Sequence, residues 1–109
     1  VTLAPSIQQA VTAYARLVRA ELGSRVQQLA VFGSHARGEA TPESDVDVVI
    51  VVDDLSGAEG RHLAALAGDI LTEHGVLLST FTASTARMTE LRDRERLIVH
   101  EIARDGIPI

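Results

Sequence analysis

The sequence predicts an α+β protein, a small mixed sheet flanked by helices, with elements in the order α-β-β-α-β-α. Three observations carry that prediction. Residues 46–52 are apolar and β-branched at every position but 47, which marks a strand inside a sheet. Longer stretches repeat apolar residues at helical spacing, and glycines fall where those stretches should stop. The 109 residues are 46% hydrophobic but only 3% aromatic, so the core has to be built from Ala, Val, Leu and Ile.

The elements follow in order. Ser6 is the expected cap of a first helix, with Ile7, Val11, Tyr14, Val18 and Leu22 on one face and Gly23 as its stop. Val26 to Phe32 reads as a strand that ends in a Gly33-Ser34 turn. Residues 35–44 are polar and punctuated by Gly38 and Pro42, which leaves room for one helical turn and a loop. The strand over 46–52 stops at Asp53-Asp54. A helix over about 58–74 carries Leu63, Leu66, Ala67, Ile70 and Leu71 and ends at Gly75. Residues 76–82 read as the third strand. Ser84 opens a last helical region with Met88, Leu91, Leu97, Ile98 and Ile102, closed by Gly106 and Pro108.

Bulk properties narrow the function. The length predicts one domain over 1–109, with a core small enough to make a partner surface an expectation. Net charge is −5, with 15 acidic against 10 basic residues, which repels a phosphate backbone and supplies no basic stripe. Phe32, Phe81 and Tyr14 are too few to stack a single strand, so long nucleic acid is not an expected substrate. Without cysteine there is no thiol nucleophile, zinc ribbon or disulfide scaffold, a composition that fits a cytoplasmic protein. The aliphatic run 48–52 is far short of the ~20 residues of a membrane helix, and residues 1–15 do not read as a signal peptide.

The chemistry concentrates in two short segments. In a strand, residues i and i+2 share a face, so Asp45 and Asp47 are expected to project together from its N-terminal edge. Paired carboxylates beside a core are costly unless protonated or bridged by a cation. Mg²⁺ suits such a site, since it takes one or two carboxylates together with substrate phosphates. Gly33 allows close backbone approach, and the Ser34 hydroxyl and nearby N–H groups suit phosphate oxygens. Read alone, each segment has an ordinary alternative, a solvated strand end or a tight turn.

Together, Gly33-Ser34, ten intervening residues and Asp45-Val46-Asp47 resemble the signature of the nucleotidyltransferase fold. The flanking Gly33-Ser34-His35-Ala36-Arg37-Gly38-Glu39-Ala40 and Ser44-Asp45-Val46-Asp47-Val48-Val49-Ile50-Val51 are similar to its minimal nucleotidyltransferase branch. The resemblance implies that Ser34 contacts the phosphates of a nucleoside triphosphate, with ATP as substrate, and that Asp45 and Asp47 are catalytic, holding one or two Mg²⁺ ions. It implies transfer of a nucleoside monophosphate to a hydroxyl with release of pyrophosphate. It also implies a partner, because members of this branch are commonly paired with a separate helical HEPN-type toxin that they neutralise by modification. The chain departs from the family in its third strand, where a carboxylate is expected and Ser79 or Thr80 stands instead.

Arg37 could reach the phosphates or pair with Asp45 or Glu43. His35 is adjacent to the site, while His62, His74 and His100 read as surface or boundary residues. The run Arg92 to Arg96 mixes signs and reads as a solvated helix face. Gly33-x4-Gly38 lacks the Lys of a P-loop, and the apolar run after Asp47 rules out an EF-hand. Three readings stay open: an adenylyltransferase acting on a partner protein, a nucleotide-binding subunit without turnover, and an antibiotic-modifying nucleotidyltransferase. The last is disfavoured by the want of an acceptor domain within 109 residues, and self-association is left open.

Overall fold

A computed structural model describes residues 2–41 and 43–109; Val1 and the loop residue Pro42 lie outside the described residues. Helix α1 spans Pro5–Leu22 and buries Ala10, Val11, Tyr14, Ala15 and Val18 along one stripe. Its N-cap is Ala4 rather than Ser6, because Pro5 already occupies the first turn, where its fixed φ and missing N–H cost nothing. A 3-10 turn over Gly23–Arg25 leads into β1, Val26–Phe32, followed directly by the short helix α2, Gly33–Arg37. The Gly33-Ser34 turn is thus the first turn of a helix.

Strand β2 is Val46–Val52, α3 is Gly57–His74 and β3 is Leu78–Ser84. They are followed by α4 (Thr85–Asp93), α5 (Leu97–Asp105) and a two-residue strand β4 (Ile107–Pro108). The four strands lie in the order β3-β2-β1-β4, with β2 parallel to β3 and antiparallel to β1. A parallel neighbour requires a crossover, and α3 provides it.

Alternation along β2 divides the core in two. Val46, Val48, Ile50 and Val52 face a cluster built with α1 and α3, while Val49 and Val51 face a second cluster with Met88, Leu91, Val99 and Ile102. Tyr14 crosses the first cluster, its hydroxyl donating to the Leu63 carbonyl at 2.9 Å. Asp47, two residues before Val49, therefore lies on the side of the sheet that α5 covers.

Four further features differ from the sequence expectation. The third strand is shifted to 78–84: Gly75 caps α3, Leu77 is exposed, and Ala83 and Ser84 continue the register against Val51 and Val52. The last helical region is two helices, broken at Arg94–Arg96, where Glu95 has φ +52°. Of the charged run 92–96, Arg92 and Asp93 form the exposed last turn of α4, and residues 94–96 form the exposed junction rather than a helix face. Finally, Ile107 and Pro108 pair with Val31 and Ala30, giving the sheet a fourth strand.

Candidate active site

The candidate site lies where β1 ends, α2 begins and β2 enters the sheet. The antiparallel register sets Phe32 opposite Asp47, so Gly33 is delivered directly beside the Asp47 side chain. A Cβ built on Gly33 would overlap Asp47 Oδ2 and stand 3.1 Å from Cγ. Gly33 also has φ +73°, in the left-handed region that side chains disfavour. Two independent constraints thus require glycine here. The two halves of the motif are in contact: the space left by the missing side chain at the start of α2 is filled by the carboxylate of β2.

Asp47 is half-buried and Asp45, one residue before β2, is exposed. No described residue donates a hydrogen bond to either side chain. Burial holds the Asp47 carboxyl above its usual range; Asp45 pushes the same way, His35 and Arg37 pull it back, and Glu101 adds a further upward push. A cation at this edge would relieve that cost. Among the described residues no three His, Asp or Glu side chains converge closely enough to hold an ion by themselves. Two carboxylates completed by substrate phosphates are the Mg²⁺ arrangement that needs no third protein ligand.

The carboxylates bracket Val46 but open onto different clefts. Asp47 lines one of about 510 Å³ together with Gly33, Ser34, Arg37, Ser79 and Glu101. Asp45 lines another of about 680 Å³, with His35, Ser44 and His74. The loop between the motif halves is held by the His35 Nε2 contact to the Ser44 carbonyl at 3.1 Å and by Thr41 N–H donating to Ser44 Oγ at 3.0 Å.

Arg37 faces the first cleft but pairs with Glu39 at 3.0 Å and Asp105 at 3.5 Å, not with Asp45 or Glu43. It ties α2 to the end of α5. In the parallel register Ser79 lies beside Asp47 and Thr80 beside Val48, so Ser79 is the residue that adjoins the carboxylate. Sequence reasoning missed Glu101, which reaches the same cleft from α5. Its only signal was helical spacing from Ile98, which says nothing about what the opposite wall contains.

A model of the nucleotidyltransferase domain matches residues 14–100. A "putative protein adenylyltransferase" of Methanocaldococcus jannaschii is 27% identical over 77 residues, covering 71% of this chain and 73% of the relative. Among solved structures, a "putative minimal nucleotidyltransferase" superposes with a TM-score of 0.65 at 25% identity, covering 95% of this chain and 93% of that one. A toxin–antitoxin structure solved with AMP-PNP gives a TM-score of 0.56 at 16% identity, covering 88% of this chain and 69% of that one, and shares the fold. With the glycine–serine turn packed on the aspartate strand and the family match running over residues 14–100, the protein belongs to the nucleotidyltransferase domain family.

Proposed function

We propose that this chain is a Mg²⁺-dependent adenylyltransferase that moves AMP from ATP to a hydroxyl of a partner protein, a helical toxin of the HEPN type. The observation that carries the reading is the unpartnered Asp47 carboxylate packed against Gly33 and beside Ser34. Asp45 and Asp47 are the residues that would hold Mg²⁺; their oxygen-only, unpaired donor set fits a hard cation. When bound, the ion neutralises phosphate charge and stabilises the attacking and leaving oxygens. The Ser34 hydroxyl and backbone N–H groups at the start of α2 orient the phosphates, while Arg37, fixed by Asp105, adds positive charge to the same wall. The name of the archaeal relative supports a protein acceptor, and the toxin–antitoxin structure supports the module.

Incubation with α-labelled ATP, Mg²⁺ and the protein encoded beside this one tests the proposal. Label should pass to the partner and be lost with Asp45→Asn or Asp47→Asn. A tight complex with no label transfer would overturn it in favour of a nucleotide-binding subunit, a reading favoured by one observation: Ser79, not an acid, adjoins Asp47 on β3.

A further inference from the structure

The wall of the Asp47 cleft opposite β3 is formed by α5. Ile98, Glu101 and Asp105 are spaced three and four residues apart and share one stripe of that helix. The two ends of the stripe are fixed: Ile98 lines the cleft, and Asp105 bonds Arg37 and Arg104. Glu101 between them is half-buried and lines the same cleft as Ser34 and Asp47. Unlike Asp105, its carboxylate makes no hydrogen bond or ion pair with any described residue. It shares that cleft with Asp47, yet among the described residues it does not complete a cluster of three acids close enough to hold an ion. An acid that faces a phosphate-binding wall without touching it is placed for the other reactant.

We propose that Glu101 is the general base of the transfer, taking from a helix the part that an acid on β3 would play. The inference rests on the adenylyltransferase reading above. The acceptor O–H proton passes to a Glu101 carboxylate oxygen as the acceptor oxygen bonds to the α-phosphorus of ATP. The bond from that phosphorus to the α–β bridging oxygen breaks, and pyrophosphate leaves with the electron pair. No further reactant is needed, and the proton returns to solvent from the open side of the cleft.

The test compares Glu101→Gln, Glu101→Asp and wild type in steady-state pyrophosphate release from Mg-ATP, with the adjacent-encoded protein as acceptor. Nucleotide binding is followed separately with a fluorescent ATP analogue. Glu101→Gln should lower kcat about 10²–10⁴-fold, the usual contribution of a positioned base, with KM for ATP and analogue binding nearly unchanged. Glu101→Asp should keep part of the activity. Adding Ser79→Asp to Glu101→Gln should recover turnover, since position 79 lies in register with Asp47. A Glu101→Gln protein that turns over within a few-fold of wild type overturns the assignment and leaves the adenylyltransferase reading standing. A raised KM with unchanged kcat also overturns it, making Glu101 a binding residue. If wild type binds Mg-ATP yet releases no pyrophosphate, the enzyme reading falls and takes this inference with it.

Discussion

Strand β2 carries acids at both of its ends, and the two ends are built in opposite ways. At the C-terminal end, Asp53 accepts hydrogen bonds from Thr85 and Gln27, and Arg25 donates to the Asp53 and Asp54 carbonyls while pairing with Glu59 at 2.7 Å. The Asp53 carboxylate there is satisfied by side chains from β1 and α4. At the N-terminal end, Asp45 and Asp47, and Glu101 facing Asp47 from α5, have no such partners among the described residues, and burial works against the Asp47 charge. Folding alone gives no reason to leave carboxylates unpaired beside a core. The contrast separates an aspartate that holds the strand from the aspartates to which the proposed function assigns a cation and a substrate.

The sharpest way to break the contrast is to neutralise each end. Asp47→Asn should abolish label transfer, roughly 10³-fold or more, since ion-mediated stabilisation is worth several kcal/mol. It should also stabilise the metal-free protein. The folded-state pKa of Asp47 is raised, so the folded protein binds the proton more tightly than the unfolded chain, and stability falls as pH climbs through the raised value. At neutral pH, Asp47→Asn should therefore melt a few degrees higher than wild type, and Mg²⁺ should raise the wild-type midpoint more than that of the variant. Asp53→Ala should do the reverse: retained transfer, with about 1–2 kcal/mol lost in denaturant unfolding as Thr85 and Gln27 lose their acceptor.

An effect smaller than that of Asp47→Asn on transfer is expected where the motif halves touch. Gly33→Ala places a methyl group on the Asp47 carboxylate and a side chain at φ +73°. The backbone conformation alone costs about 1–3 kcal/mol. Displacement of Asp47 should weaken Mg-nucleotide binding as well, measurable by titration calorimetry. An alanine variant with wild-type stability and binding would mean that the contact between the two halves is incidental.

How far the sequence revealed this follows from the same contrast. β2 was legible because an interior strand must be apolar on both faces, and Gly33-Ser34 with Asp45-x-Asp47 was legible because spacing and residue type combine. The capping box Ser56/Glu59 at the start of α3 was present as Ser-x-x-Glu and went unread. The break between α4 and α5 has no glycine or proline to announce it; the turn residue is Glu95. β4 is two residues long, one of them proline, and exists only because β1 offers an edge. Glu101 and the Arg37–Asp105 pair bring together residues 54 and 68 positions apart from their partners in the cleft, a separation that no local pattern encodes.

The smallest expected effect is at the satisfied end and concerns pH. Hydrogen bonds from Arg25, and then from the Ser56 backbone N–H, hold the Glu59 carboxyl at about 2 against an ordinary 4.5. A carboxyl lowered on folding contributes stability above its unfolded value and loses that contribution as pH falls through the folded one. The window is therefore about 4.5 down to about 2. Asp105, lowered chiefly by Arg104, acts in the same direction. The groups lie at the surface, so solvent screens the pair and the slope should be shallow. Thermal midpoints recorded from pH 7 to pH 2 should fall for wild type and fall less for Glu59→Gln, with the two curves converging toward the acid end. If Glu59→Gln reproduces the wild-type slope, the Arg25–Glu59 pair does not fasten this end of the sheet, and Asp53 with Thr85 and Gln27 must do so alone.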